Sequence, residues 1–131
     1  MTIFVDTSAF VALNVSTDSQ YDKAVDLVDR FREKQPKYIT SNYIIAEAIT
    51  IISQKASHQR AIRFYEEDLN NILIIRISPE TEIEAFETFK KLTSKNVSFV
   101  DCTSFALMRE MNIKKAFSFD THFKQQGFKL L

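Results

Sequence analysis

The stretch Ile3-Phe4-Val5-Asp6-Thr7-Ser8-Ala9-Phe10-Val11-Ala12-Leu13 decides how the rest of the chain is read. Ile3-Phe4-Val5 is a short apolar run of the kind that forms a strand buried on both faces. Thr7 and Ser8 follow, and the chain then reads as a short helix through Leu13. Asp6 stands at the junction. A carboxylate is almost never fully buried unless something pairs with it, because taking an unpaired charge out of water is costly. An acid wedged between a buried strand and an apolar helix therefore needs a partner.

Working outward, strands and helices alternate. Tyr21, Ala24, Val25, Val28 and Phe31 recur at helical spacing, and Pro36 stops that helix. Tyr38-Ile39-Thr40 reads as a second strand. Ser41 or Asn42 can cap a helix running to about Lys55, and a further helix spans Ser57 to Leu69. Ile72 to Ile77, rich in β-branched residues, is the clearest strand. Pro79 suits the first turn of a helix carrying Ile83, Phe86 and Phe89. Ser98 to Asn112 reads as another helix, Ala116 to Phe119 as a strand and Phe128 to Leu130 as a terminal strand. This order predicts one α/β domain over residues 1–131 with a mainly parallel central sheet.

Composition narrows the function. With 131 residues, 45% of them hydrophobic and twelve of them Phe, the chain can fill a single core. Charged residues are 26% and balance to zero, which withholds the global basic character of many nucleic-acid binders, so any such contact needs a local patch. Cys102 is the single cysteine, which excludes an internal disulfide and a thiolate zinc cluster and predicts a small buried hydrophobe. Gly127 is the single glycine, and phosphate-cradling loops and dinucleotide fingerprints need several. No run approaches the ~18 apolar residues of a membrane span, so the expectation is a soluble, cytoplasmic protein with no membrane contact.

Asp6 is one of four acids in apolar settings. The others are Glu47 in Ile44-Ile45-Ala46-Glu47-Ala48-Ile49, Asp101 in Phe99-Val100-Asp101-Cys102 and Asp120 in Phe117-Ser118-Phe119-Asp120. In an open parallel sheet, ligands bind beyond the carboxyl ends of the strands. Asp6 and Asp120 are each expected directly after a strand, Asp101 in the first turn of its helix, and Glu47 on a helix that begins at the same edge. Each also has a structural reading. Asp6 and Asp120 can be N-caps, Ser98-Phe99-Val100-Asp101 matches a capping box, and Glu47 can sit at a solvated edge. Together they decide more. Two carboxylates ~4 Å apart repel by ~4 kcal/mol at an effective dielectric near 20, so a converged set must protonate or hold cations. Oxygen ligands suit Mg²⁺ or Mn²⁺ better than Zn²⁺.

At these residues the chain resembles the PIN-domain family, and in size and layout the VapC-type toxins of toxin–antitoxin pairs. Residues Ile3 to Leu13 look like the first motif, Tyr43-Ile44-Ile45-Ala46-Glu47 the second, Phe99-Val100-Asp101-Cys102-Thr103-Ser104-Phe105-Ala106 the third, and Ser118-Phe119-Asp120-Thr121-His122-Phe123 the fourth. The resemblance implies a parallel sheet with helices on both faces and metal-dependent cleavage of RNA phosphodiesters. Asp6, Glu47, Asp101 and Asp120 would bind Mg²⁺ or Mn²⁺, with Thr7, Ser8 and Ser118 in support. It further implies a cognate antitoxin as partner and a homodimer. Cys102 departs from the Ala more usual after the third acid, which touches packing more than chemistry.

The chemistry that the resemblance implies is in-line hydrolysis with no histidine required, so His122 is expected to be structural or a phosphate contact. Lys34, Lys37, Lys55, Arg60 and Arg63, with Lys114 and Lys115, are candidate cations for a rim, each with an ordinary solvated surface as the alternative. Haloacid-dehalogenase-type phosphatases need a second Asp two residues after the first, where this chain has Ser8. Response-regulator receivers need an early acidic pair that is missing. The rival from another class is a catalytically dormant PIN fold kept as a protein-binding module.

Overall fold

The computed structural model describes residues 1–131. Five strands form one sheet in which every pairing is parallel, in the order β3-β2-β1-β4-β5. The strands are β1 (Thr2–Val5), β2 (Lys37–Ser41), β3 (Ile72–Ile75), β4 (Lys115–Phe117) and β5 (Lys129–Leu130). Seven helices connect them: α1 (Thr7–Asn14), α2 (Tyr21–Phe31), α3 (Asn42–Lys55), α4 (His58–Arg63), α5 (Pro79–Lys91), α6 (Phe99–Glu110) and α7 (His122–Gln125). The alternation expected from the sequence is thus the observed one. Helix α4 is shorter than expected, because the chain widens into a π-helical turn at Phe64–Asp68.

The strand β1 lies at the centre with a partner on each side, which is why Ile3, Phe4 and Val5 are all buried. The chain moves one way along the sheet from β1 to β3, crosses over to β4 and continues outward to β5. Right-handed crossovers then put α1 to α4 on one face and α5 to α7 on the other. The contacts agree, since α1 packs against α2 and α3, and α5 against α6. The reversal of direction falls between β1 and β4, so the carboxyl ends of these two neighbours open a crevice at the switch point.

Two strands end sooner than their sequences suggest, for one shared reason. Ile75 of β3 pairs with Ser41, after which the partner chain turns into α3. Arg76 and Ile77 therefore have no ladder to join, and the Ile77 N–H donates instead to Asn42 Oδ1 at 2.8 Å. Likewise Phe117 of β4 pairs with Val5, the last residue of β1. Ser118 and Phe119 lie beyond the ladder, so Asp120 is three residues past its strand and not directly after it.

Short polar side chains start the helices. Ser41, Ser57, Ser78 and Ser98 each accept a backbone N–H three residues on, at the first turns of α3, α4, α5 and α6. Thirty buried apolar side chains make one core, with Cys102 among them as a small hydrophobe. Burial and the charge of Asp101 push its thiol up, against the pull of Arg109, so it is an inert packing group. No helix is long and apolar enough to cross a membrane.

Candidate functional site

Asp6 is carried to the crevice by β1. Its N–H donates to Phe117 O across the β1–β4 seam at 3.0 Å, and Thr40 Oγ1 of β2 donates to the preceding Val5 carbonyl at 2.8 Å. The residue occupies the N-cap position of α1, but its side chain makes no cap bond. Its Oδ2 instead accepts from Ser8 Oγ at 3.0 Å and from Ser118 Oγ at 2.7 Å. These hydroxyls tie the two sides of the crevice together. Ser8 Oγ accepts the Phe119 N–H at 2.9 Å, and Ser118 Oγ accepts the Asp120 N–H at 3.0 Å.

Asp6 is only 4% exposed and has no cation beside it. Burial pushes its carboxyl up to about 6, and the charge of Asp101 pushes the same way. The Ser118 and Ser8 hydroxyls and the Thr7 backbone N–H pull it down without offsetting that rise. Thr7 Oγ1, in the adjoining position, is buried with no hydrogen-bond partner.

Asp101 sits in the first turn of α6 and does form the capping box expected of it. Its Oδ2 accepts the Ser98 N–H at 3.0 Å, while its own N–H donates to Ser98 Oγ at 3.0 Å. The cap also aims the carboxylate. Partial burial raises its pKa, the Ser98 contacts lower it, and the charges of Asp120 and Glu47 raise it again. Those influences put all four acids in one electrostatic neighbourhood, since Asp101 feels Asp120 and Glu47 and in turn acts on Asp6.

Glu47 is half-buried on α3 and makes none of the chain's side-chain hydrogen bonds or ion pairs. Asp120 caps a local turn, its Oδ1 accepting the His122 N–H at 2.9 Å. His122 Nδ1 lies 2.7 Å from the same oxygen without the alignment of a hydrogen bond, so that contact attracts only when the imidazole is protonated. Asp101, Asp120 and His122 each offer a ligand atom, and these atoms all lie within 4.8 Å of one another.

A cleft of about 430 Å³ gathers these residues. Asp6, Thr7, Ser8, Glu47, Asp101 and Asp120 all line it, while Ser118 stands behind Asp6. The structure thus brings together the four acids and the three supporting residues named from the sequence, whereas of the seven candidate rim cations only Lys55 lines this cleft. Two charged lining residues were not anticipated as part of the centre. Asp18 adds a fifth carboxylate, with its Oδ1 accepting the Gln20 N–H at 2.8 Å. Its only signal was the polar run Ser16-Thr17-Asp18-Ser19 immediately after α1, which reads as an ordinary turn. Lys55, named among several surface cations, is the single basic residue lining this cleft.

Five acids facing one lysine is an unbalanced set. Mutual repulsion on the order of several kcal/mol per close pair is relieved by protonation or by a cation. Carboxylates, the orphaned Thr7 hydroxyl and an adjacent imidazole form a predominantly oxygen donor set, which fits a hard divalent cation. What such a centre can do chemically is polarise a phosphodiester and activate a water.

Comparison with known proteins bears on the family and the fold. The PIN-domain profile matches residues 3–129. The 23S rRNA-specific endonuclease VapC20 of Mycobacterium tuberculosis is 32% identical over 127 residues, covering 96% of this chain and 95% of the relative. The crystal structure of VapC20 from that organism, described as a sarcin–ricin-loop-cleaving toxin, superposes with a TM-score of 0.85 at 30% identity, over 96% of this chain and 95% of that one. VapBC2 from Rickettsia felis, bound to a DNA fragment from their promoter, shares the fold at a TM-score of 0.69 and 17% identity, over 100% of this chain and 98% of that one.

Proposed function

This chain belongs to the PIN-domain family, and from that premise we propose that it is a Mg²⁺- or Mn²⁺-dependent endoribonuclease, the toxin of a toxin–antitoxin pair. One observation carries the reading. Asp6 is buried without a cationic partner, inside a cleft where four further acids face a single lysine. A dormant binding module has no physical reason to keep that arrangement, because ionising the buried Asp6 and the part-buried Asp101 there costs stability.

Asp6, Glu47, Asp101 and Asp120 are the proposed ligands. A bound divalent cation would neutralise charge on the scissile phosphate and acidify the attacking water. The chain's own residues set the geometry. Ser8 and Ser118 fix Oδ2 of Asp6 from two elements, so the carboxylate does not reorganise as charge develops. Ser98 holds Asp101 through the capping box, on the opposite sheet face from α3 with Glu47. The water oxygen bonds to phosphorus as the bond to the departing ribose oxygen breaks. Thr7, with its free hydroxyl, is placed to donate to a phosphate oxygen or a bound water.

The relative's action on 23S rRNA makes ribosomal RNA the first substrate to test. An activity of this kind in the cytoplasm of the cell that makes it demands a neutralising partner, which is the role we assign to a cognate antitoxin. A homodimer is part of the same proposal. Purified protein incubated with ribosomal RNA should yield discrete fragments with Mg²⁺ or Mn²⁺ and none with EDTA. Asp6→Asn and Asp101→Asn should remain folded and lose cleavage. Undiminished cleavage by both variants would refute the site, and intact RNA with wild-type protein would refute the activity.

A further inference from the structure

Of the seven cations singled out in the sequence, the structure places one, Lys55, in the acidic cleft and a second, Arg60, in a cleft that adjoins it. Glu47, Ile51 and Lys55 recur every fourth residue on α3, and all three line the cleft. Lys55 therefore lies about 12 Å along the helix from Glu47. It also lines a second cleft of about 620 Å³, whose lining includes Arg60. The segment after α1 supplies Asp18, Ser19 and Gln20 to the first cleft and Ser16, Thr17 and Tyr21 to the second. The two clefts adjoin at Lys55, which lines both, and together they outline a trough.

The two cations differ in how they are held. Lys55 makes none of the chain's ion pairs and is exposed. Arg60 is fixed, since its Nε donates to Asn14 Oδ1 at 2.8 Å and its Nη2 reaches Asp68 Oδ2 at 2.6 Å. Asn14 is itself anchored, its Nδ2 donating to Phe10 O at 2.8 Å. All of these bonds use Nε and Nη2, which leaves the two N–H groups of Nη1 for an outside acceptor. A guanidinium braced in this way is pre-organised for an anion. By contrast Arg63, Lys34, Lys37, Lys114 and Lys115 line neither cleft.

We propose that this trough is the track of the RNA strand flanking the scissile phosphate, with Lys55 and Arg60 each contacting a backbone phosphate. The inference rests on the ribonuclease reading above and adds the direction in which the strand leaves the acidic centre. A lysine in the last turn of a helix also interacts with the helix dipole, so stability does not distinguish the two roles. Salt dependence does. Each lost phosphate contact on a single strand should reduce the slope of log K against log[salt] by about 0.7.

The test is fluorescence anisotropy of a labelled RNA hairpin carrying the sarcin–ricin loop sequence, with Ca²⁺ filling the acidic centre, across a salt series. Lys55→Gln should flatten the slope by about 0.7, Lys55→Arg should restore it, and Lys55→Gln with Arg60→Gln should flatten it by about 1.4. Melting curves confirm that the Arg60 variant is folded, and the Lys55 variants decide the matter without it. If wild type cleaves RNA with Mg²⁺ while Lys55→Gln keeps the full slope, the track is wrong and the nuclease stands. If wild type neither binds nor cleaves RNA, both are wrong.

Discussion

Replacing Asp6 by Asn should destroy activity and yet make the metal-free protein more stable. Burial holds the Asp6 carboxyl up at about 6 instead of the usual 3.8. The folded state thus binds the proton more tightly than the unfolded chain. Between those two values the folded protein carries more protons, so stability falls as pH rises through the window. A displacement from 3.8 to about 6 corresponds to about 3 kcal/mol, all of it lost by neutral pH. Asn keeps the shape, and its Oδ1 can still accept from Ser8 and Ser118, but it never ionises. A chain of 131 residues has an unfolding entropy of about 275 cal/mol/K, so 3 kcal/mol is at most about 11 °C in Tm. Thermal melts in EDTA should therefore show the two proteins nearly level at pH 4, with Asp6→Asn higher by roughly 5–10 °C at pH 8. Mg²⁺ at a concentration that saturates wild type should raise its Tm at pH 8 by mass action and raise the variant's clearly less. Curves that stay parallel across the pH range, or a variant less stable at pH 8, would refute the claim that Asp6 is an uncompensated buried acid.

Ser118→Ala removes the shorter hydroxyl donor to Asp6. Because that bond lowers the Asp6 pKa, its loss should move the acid limb of the cleavage–pH profile upward and raise the Mn²⁺ concentration for half-maximal rate, both read from initial rates. Ser98→Ala takes away half of the capping box, at a cost of about 1 kcal/mol or roughly 4 °C in Tm. Asp101 keeps its bond from the Ser98 N–H, so cleavage should be weakened and not abolished.

Much of the fold was legible because its signals are local. Ile3-Phe4-Val5 suited a doubly covered strand, and Pro79 and the serine caps marked helix starts within one turn. Asp6 and Glu47 stood out for the same reason, as acids inside apolar runs. What stayed hidden depends on partners distant in sequence. Nothing near Asp120 shows that β1 ends at Val5 and so releases β4 at Phe117, leaving Asp120 on a loop. The bridge from Asp6 to Ser118 spans 112 positions. Lys55 was indistinguishable from any other surface lysine until α3 was seen to carry Glu47 and Lys55 along one cleft. Asp101 shows that a structural and a functional reading need not compete, since the capping box is the device that orients the acid.

The claim at the centre of this account is that four acids from separate elements act as one cation site. Calorimetric titration of Mn²⁺ into wild type, Asp6→Asn, Glu47→Gln, Asp101→Asn and Asp120→Asn tests it most directly. Wild type should bind with proton release near pH 6, as Asp6 ionises to become a ligand. Each variant should bind more weakly by at least the ~10–100-fold typical of changes outside the ligand shell. Wild-type affinity retained in the four variants, or no binding by wild type, would contradict it.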